Sequence, residues 1–399
     1  MLLRVISRDT PFLDAPITRS AAGRRRVLQG LAALPTLWFG SASPTLAGPA
    51  TTGVQPRPLV FPADHGSHPD TRLEWWYVTG AVQPETGTEP AGGRPDPAGI
   101  FGFQVTFFRS RTEISADHPS RFAARQLVFA HAALTDLKRG RLLHDQRIAR
   151  AGFGIAEAAV GDTALTLRDW RLARVEHDGA SRYRAQVSSD TAGFGFDFQL
   201  DTTQALLLQG DAGYSRKGPR PLQASHYYSQ PQLAVSGTLT RDGKHQPVRG
   251  SAWLDHEWSN SLLDPAAVGW DWIGMNLDDG SALTAFRLRG ADGSTVYAGG
   301  SFRPAGGAVR NFATAEVRLT PGRLWTSPGS RARYPVEWTL DTASGRFRVK
   351  ALLDAQELDS RASTGSIYWE GLSELQDEQG RRIGRGYLEM TGYAGKLSL

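Results

Sequence analysis

The sequence predicts an all-β protein made of two antiparallel barrels in tandem. Three observations carry that prediction. Short runs with period-two alternation recur along the chain, 44 Gly and 23 Pro punctuate them, and no helical periodicity outlasts a few turns. On the order of 16 to 18 strand candidates result, too many for one sandwich and enough for two barrels of about eight strands each. A chain of 399 residues can bury a sizeable core, and length alone suggests about two or three domains. The expected division is a leader at 1–47, an N-terminal barrel at 58–248 and a C-terminal barrel at 249–399.

The leader reads as an export signal. GRRRVLQ (Gly23 to Gln29) precedes the apolar run Gly30 to Gly40 and then small residues up to Ala47. Paired Arg ahead of a moderately apolar stretch resembles a twin-arginine signal, with cleavage expected near Ala47, where Thr45 and Ala47 are small. An uncleaved anchor is the alternative, but a run this short, broken by Pro35, cannot cross about 30 Å of hydrocarbon. A periplasmic or secreted location follows. Six Arg (Arg4, Arg8, Arg19, Arg24, Arg25, Arg26) against Asp9 and Asp14 place +4 of the net charge of +5 in this segment, leaving +1 for the body. The pI near 9.5 is therefore no footprint for nucleic acid.

From Phe61 to Val82 a polar loop turns into a strand. Asp64, His65, His68 and Asp70 are types that ligate zinc or iron, but a hydrogen-bonded loop accounts for them, and no metal or other cofactor is assigned. In the strand, Glu74, Trp76 and Val78 share one face while Trp75, Tyr77 and Thr79 share the other. Residues 83–97 are rich in Pro, Gly, Thr and Glu and read as a surface loop. Strand patterns follow at Ile100 to Phe108, Leu127 to Leu137, Ala164 to Leu172, Tyr183 to Ser189 and Phe194 to Leu200. The last is the clearest, with Phe194, Phe196, Phe198 and Leu200 alternating against Gly195, Asp197 and Gln199. His131 reads as a satisfied core histidine or a pocket residue. Lys217, in the turn Ser215 to Gly218, offers a grip for an acidic group or is simply exposed, and Tyr227 sits in the polar aromatic run Ser225 to Ser229. Asp242 to Lys244 marks a hairpin. After it, strand patterns recur from Ala282 to Gly395.

The chemistry is expected in Gly250 to Leu277, which gathers carboxylates, an imidazole and four Trp. Asp255, His256 and Glu257 stand between Trp253 and Trp258, and Asp271 between Trp270 and Trp272. Apolar walls around ionisable groups shift pKa values towards those that proton transfer needs. Strand alternation puts His256 with Trp258, Asp255 with Glu257, and Asp271 on the face opposite Trp270 and Trp272. The bland reading makes the Trp residues barrel core and the acids a wet outer face. With no cysteine, disulfides, thiolate metal sites, a lipid-anchoring Cys and a Cys nucleophile are excluded. GxSxG, HExxH and phosphate-binding Gly loops are likewise missing.

Several strings together resemble one family: DHGSHPDTRLEWWYVTG, FAHAALTD, GYSRKG, SHYYSQPQL, AWLDHEWS with GWDWIGMNLDDGSALTAFRLR, and YWEGLSEL with GYLEMTGY. They are similar to the carotenoid hydratases (hydroxyneurosporene synthase, CrtC) and the related AttH proteins, often labelled predicted secreted hydrolases. The resemblance runs from about Phe61 to the end and implies two tandem lipocalin-like antiparallel β-barrels around an apolar ligand. It ties His256 and Trp258 of the DHEW string, and Asp271, to acid and base work.

The expected function is hydration of a carbon–carbon double bond in a polyene, terpenoid or lipid-like substrate. Asp271, kept neutral by burial, would protonate the alkene, and His256, oriented by Asp255 or Glu257, would take a proton from water. For this to work Asp271 must face the cavity, which needs a bulge between it and its Trp neighbours. Trp253, Trp258, Trp270, Trp272, Trp76, Tyr77, His131 and Tyr227 are the expected substrate wall. A non-catalytic carrier of a hydrophobic ligand is the alternative, and an ester hydrolase the third reading. The expected partner is an apolar small molecule, with room for peripheral membrane contact.

Overall fold

Both barrels are built on antiparallel pairing, and the computed structural model describes residues 53–85, 99–115, 117–261 and 263–396. The export signal at 1–47 and most of the loop at 83–97 lie outside the described residues. Thirteen strands form the first sheet. They are β1 (Leu73–Pro84), β2 (Phe101–Arg111), β3 (Gln126–Asp136), β4 (Arg141–Arg150), β5 (Ala156–Ala158), β6 (Ala164–Leu167) and β7 (Trp170–His177). β8 (Ala180–Ser189), β9 (Phe194–Asp201), β10 (Leu207–Leu208), β11 (Tyr214–Arg216), β12 (Ala224–Arg241) and β13 (Lys244–Ser259) complete it. Their order is β4-β3-β2-β1-β13-β12-β9-β8-β7-β6-β5, with β10 and β11 added to β12. β5 and β6 approach β3 and β4, so the sheet rolls almost shut.

The second sheet has ten strands. β14 (Ala267–Leu277), β15 (Ala282–Gly290), β16 (Thr295–Arg303), β17 (Arg310–Phe312) and β18 (Val317–Pro321) come first. A separate hairpin, β19 (Leu324–Thr326) and β20 (Arg333–Pro335), interrupts them. β21 (Glu337–Thr342), β22 (Gly345–Ala351), β23 (Glu357–Ser360), β24 (Ser366–Gln376) and β25 (Arg382–Met390) follow. The order is β17-β16-β15-β14-β25-β24-β22-β21-β18, with β23 on β24. β18 packs towards β15 and β16.

Alternation fills each interior. Phe194, Phe196, Phe198 and Leu200 join Trp76, Phe103, Phe107 and Trp170 in the first core, while Ile273, Met275, Trp338 and Trp369 hold the second. A third apolar cluster joins the two sheets through their outer faces, with Tyr77 and Trp253 from the first and Trp272, Phe286, Leu372 and Tyr387 from the second. Strands at this junction are buried on both sides, and β15 has no residue that is not buried.

The sequence-based break at 248 falls inside β13, all of which stays in the first sheet. Asp242 and Gly243, both at positive φ, make a tight hairpin between Arg241 and Lys244. That hairpin is a turn within one sheet rather than a linker. The chain passes to the second sheet only between Ser259 and Ala267.

Candidate active site

Residues directly opposite in a sheet share a face, so the pairings fix what meets at the junction. On the first barrel one row runs Tyr227–Glu257–Trp75–Phe108–Phe129, and the next runs Ser229–Asp255–Tyr77–Thr106–His131. On the second, Phe286–Trp272–Glu389–Glu370 form one row, and Trp270 pairs with Leu288 beside it. These outer faces enclose a cleft of about 1180 Å³ including its mouth. Its walls are largely aromatic, and its charged groups are mostly acids.

Asp255 accepts hydrogen bonds from Tyr227 Oη (2.8 Å), Ser229 Oγ (2.6 Å) and Trp253 Nε1 (2.7 Å). Burial nevertheless lifts its pKa to about 7, against the pull of those donors. Trp272 Nε1 in turn donates to Tyr227 Oη at 3.3 Å. Across the cleft Glu370 and Glu389 stand opposite one another on neighbouring strands. Burial pushes both up, Glu389 to about 7, and the charge of Glu389 adds to the rise at Glu370. Asp255 and Glu257 also raise Glu389, so the acids of the two barrels feel each other. Gln104 Nε2 donates to Glu370 Oε2 at 3.1 Å, and the Tyr77 hydroxyl also acts on the Glu370 carboxyl, whose pKa burial still raises. Two close carboxyls in a dry site cannot both ionise cheaply, so the pair holds a proton near neutral pH.

Glu257 accepts from Ser225 Oγ at 2.5 Å and pairs with Lys217 Nζ at 3.1 Å. The Lys217 ammonium also lies 4.4 Å from the Tyr227 and Phe286 ring centres. His131 has Tyr368 Oη at 2.8 Å from Nδ1 and Ser363 Oγ at 2.8 Å from Nε2. Burial lowers its pKa to about 3, so it is neutral.

The expected site divides. Asp255, Glu257, Trp270, Trp272, Tyr77, Tyr227 and His131 line the cleft, and Trp253 buttresses Asp255. Asp271 does not line it. The register of β14 shifts between Ala267 and Gly269, upstream of the Trp-Asp-Trp run, so alternation holds and Asp271 turns into the second barrel. There Arg287 Nε (2.7 Å) and Tyr393 Oη (2.9 Å) donate to it, with Arg289 at 3.7 Å. Burial still raises its pKa against both guanidinium groups. His256, Trp258 and Trp76 likewise point into the first barrel, where Trp76 stacks on His256 at 4.5 Å and Trp258 on His68 at 3.8 Å. The proposed partnership of Asp271 with His256 across one cavity is therefore not what the fold builds: the two sit inside different barrels.

Nor do the four loop residues converge as ligands. Asp70 is exposed, and His65 Nδ1 lies 2.9 Å from Tyr228 Oη. A different trio, His68, Glu74 and His256, does come together. His68 donates from Nδ1 to Glu74 (2.7 Å) and from Nε2 to Asp64 (2.9 Å), His256 Nε2 donates to Glu74 (2.9 Å), and Arg109 Nε takes its other oxygen (2.8 Å). Burial opposes a charge on His68, but the two carboxylates raise its pKa. His68 thus sets both ring nitrogens on carboxylates and His256 sets one on Glu74, so the trio is held as a largely buried hydrogen-bonded network.

Sequence reasoning missed Glu370 and Glu389. The signal was present: each interrupts an apolar strand, Tyr-Trp-Glu-Gly-Leu and Tyr-Leu-Glu-Met, where an acid is costly unless paired or used. Trp75, Phe108 and Phe129 escaped because they share strands with true core residues.

A family model described as AttH-like matches residues 52–393. The crystal structure of an AttH from Nitrosomonas europaea is 46% identical, covers 85% of this chain and 98% of its own, and superposes with a TM-score of 0.75. Kievitone hydratase from Nectria haematococca, 16% identical, covers 86% of this chain and 96% of its own with a TM-score of 0.62, which is a likeness of fold. No curated protein sequence matches the chain.

Proposed function

The chain belongs to the AttH-like family, and from that premise we propose that it adds water across a carbon–carbon double bond of an apolar polyene, terpenoid or lipid-like molecule held in the junction cleft. The carrying observation is the pair of buried Glu370 and partly buried Glu389 facing Asp255 across aromatic walls. Kievitone hydratase, a hydratase by its name, shares the fold, which makes water addition the first activity to test.

In this reading the protonated member of the Glu370–Glu389 pair gives its proton to one alkene carbon, leaving a carbocation on the other. Trp270, Trp272 and Trp75 surround it, and a desolvated cation over an indole gains up to about 2 kcal/mol. Water attacks the cation, and its extra proton passes to Asp255, held in place by Tyr227, Ser229 and Trp253. Solvent exchange then returns a proton to the glutamate pair, so the net change is addition of one water. The ester-hydrolase reading lacks a triad, because His131 Nδ1 faces the Tyr368 hydroxyl rather than a carboxylate. A carrier remains the competing function, since the same apolar walls would retain a ligand unchanged. Export through residues 1–47 is part of the proposal, tested by sequencing the mature N-terminus.

The test is incubation of the protein with a lipid and terpenoid extract in heavy water, with mass spectrometry of bound and released species. Expected are products heavier by one water, carbon-bound deuterium, and loss of both in Glu370→Gln and Asp255→Asn. Ligand recovered unaltered, or labelling at the wild-type rate in both variants, overturns hydration and leaves the carrier.

A further inference from the structure

The four strands that floor the cleft continue to a second cavity of opposite character. β1 runs on from Tyr77 to Gln83, β13 backwards from Asp255 to Arg249, β14 from Trp272 to Leu277 with Asp278 next in the chain, and β25 backwards from Glu389 to Arg382. Six residues of extended chain are about 20 Å, and the cluster of Tyr77, Trp253, Trp272 and Tyr387 lies between the two ends. This cavity encloses about 880 Å³ including its mouth. Arg249 comes from the first sheet and Arg382 and Arg385 from the second, and Asp278 is the one acid among its described lining residues.

The outer two arginines are partly satisfied. Arg382 pairs with Asp278 at 3.0 Å, and Arg249 lies 3.5 Å from Glu85. Arg385 is different. Its Nε is buried without a hydrogen-bond partner, and although the charges of Asp278 and Glu374 act on it, neither forms an ion pair with its guanidinium among the described residues. Glu374 stands opposite Arg385 in the sheet but accepts from Gln376 Nε2 at 2.6 Å. Gln232 and Asn276, which could offer amides, are committed to holding the barrels together. Gln232 Nε2 donates to the Leu277 and Ser281 carbonyls, and Asn276 takes the Gln232 N–H at 2.9 Å. A half-buried guanidinium left unpaired is expensive, and a guanidinium fork fits the two oxygens of a carboxylate or phosphate.

We propose that this cavity is an oxyanion site, in which a carboxylate or phosphate group bridges Arg385 and Arg382 of one barrel and Arg249 of the other. The ligand is anionic and small, distinct from the apolar molecule of the cleft, and it would brace the junction at the end remote from the acids. This rests on the cavity and its arginines alone, so it stands or falls separately from the hydration reading.

Calorimetry with inorganic phosphate, and separately with succinate, against sodium chloride of equal ionic strength tests it and tells phosphate from carboxylate. Saturable binding of either, with a Tm rise of about 4 °C at fifty times the Kd, is expected in the full chain. Arg385→Gln should lose at least tenfold in affinity, and the exposed Arg249→Gln, which poses little risk to folding, several-fold. Arg385→Met, having lost the unpaired cation, should melt higher than wild type in chloride alone. Heats and Tm values no different from chloride, or undiminished binding in both Gln variants, overturn the proposal.

Discussion

Glu389→Gln separates a titrating acid pair from a merely buried one. The ordinary glutamate pKa of 4.5 is raised to about 7 at Glu389, mainly by burial. Its folded-state value lies above the unfolded one, so the folded protein keeps the proton longer. The associated stability is intact below about pH 4.5 and is lost as pH rises through about 7. By pH 8 the wild type carries a penalty of about 3 kcal/mol from this one group. Gln is neutral throughout and matches the protonated shape, so the variant should escape that loss. Removing the charge also removes the repulsion that helps raise Glu370, which then ionises more readily than in the wild type. Urea unfolding followed by Trp fluorescence at pH 5, 6, 7 and 8 reads the difference. It should be under about 1 kcal/mol at pH 5 and reach about 3 kcal/mol in the variant's favour at pH 8, or several degrees in Tm. A difference that stays constant from pH 5 to pH 8 would refute the reasoning, because it would mean Glu389 does not change charge in that range.

Asp271→Asn should lose about 3 to 5 kcal/mol of stability by stranding Arg287 and Arg289 inside the second barrel, with part of the loss recovered in Asp271→Asn/Arg287→Met; urea midpoints check both. Tyr227→Phe removes the 2.8 Å donor to Asp255, so the carboxyl should titrate about one pH unit higher, seen as a displaced limb in the pH–rate profile of product labelling. Gly274→Ala places a methyl carbon 2.2 Å from Trp272 Cη2 and 2.6 Å from Cζ2, forcing the indole off its seat. Ligand retention measured by mass spectrometry should fall several-fold, and undiminished retention would mean that Trp272 does not touch the ligand.

The strand content was legible because alternation is a local signal, and β9 shows it most plainly: one face meets the core and Asp197 and Gln199 are half-exposed. Alternation also placed Asp271 opposite Trp270 and Trp272 correctly. What it could not supply was which face belongs to the interior. In β13 and β14 nearly every residue of the functional stretch is buried, so polarity no longer marks a side, and Asp255 and His256 look equally like site groups. The two acids of β24 and β25 come together only through strand pairing some 20 residues apart in sequence, which no short motif encodes. Similarly, His256 looked like chemistry and is packed into an ionic network with Glu74 and His68, a distinction that depends on long-range partners.

The location of the cleft follows from how the barrels are filled. The first interior is closed by aromatic rings and by the network of Asp64, His68, Glu74 and His256; the second holds Asp271 with its arginines beside Trp338. On the proposed reading the ligand lies instead between the outer faces, where neither barrel supplies a whole site: Asp255 belongs to one, the glutamate pair to the other. Their spacing is thus set by what aligns the barrels, namely Gln104 on Glu370, Thr135 on Gln356, Asn276 on the Ala252 carbonyl and Gln232 on Leu277. Hydrogen bonds of this sort are worth about 1 kcal/mol each, yet a displacement of about 1 Å between acid and base is enough to cost a hundredfold in rate. The Gln104 amide, which touches one of the acids and no ligand wall opposite, is consequently the place where a change in barrel alignment should register in turnover before it registers in stability.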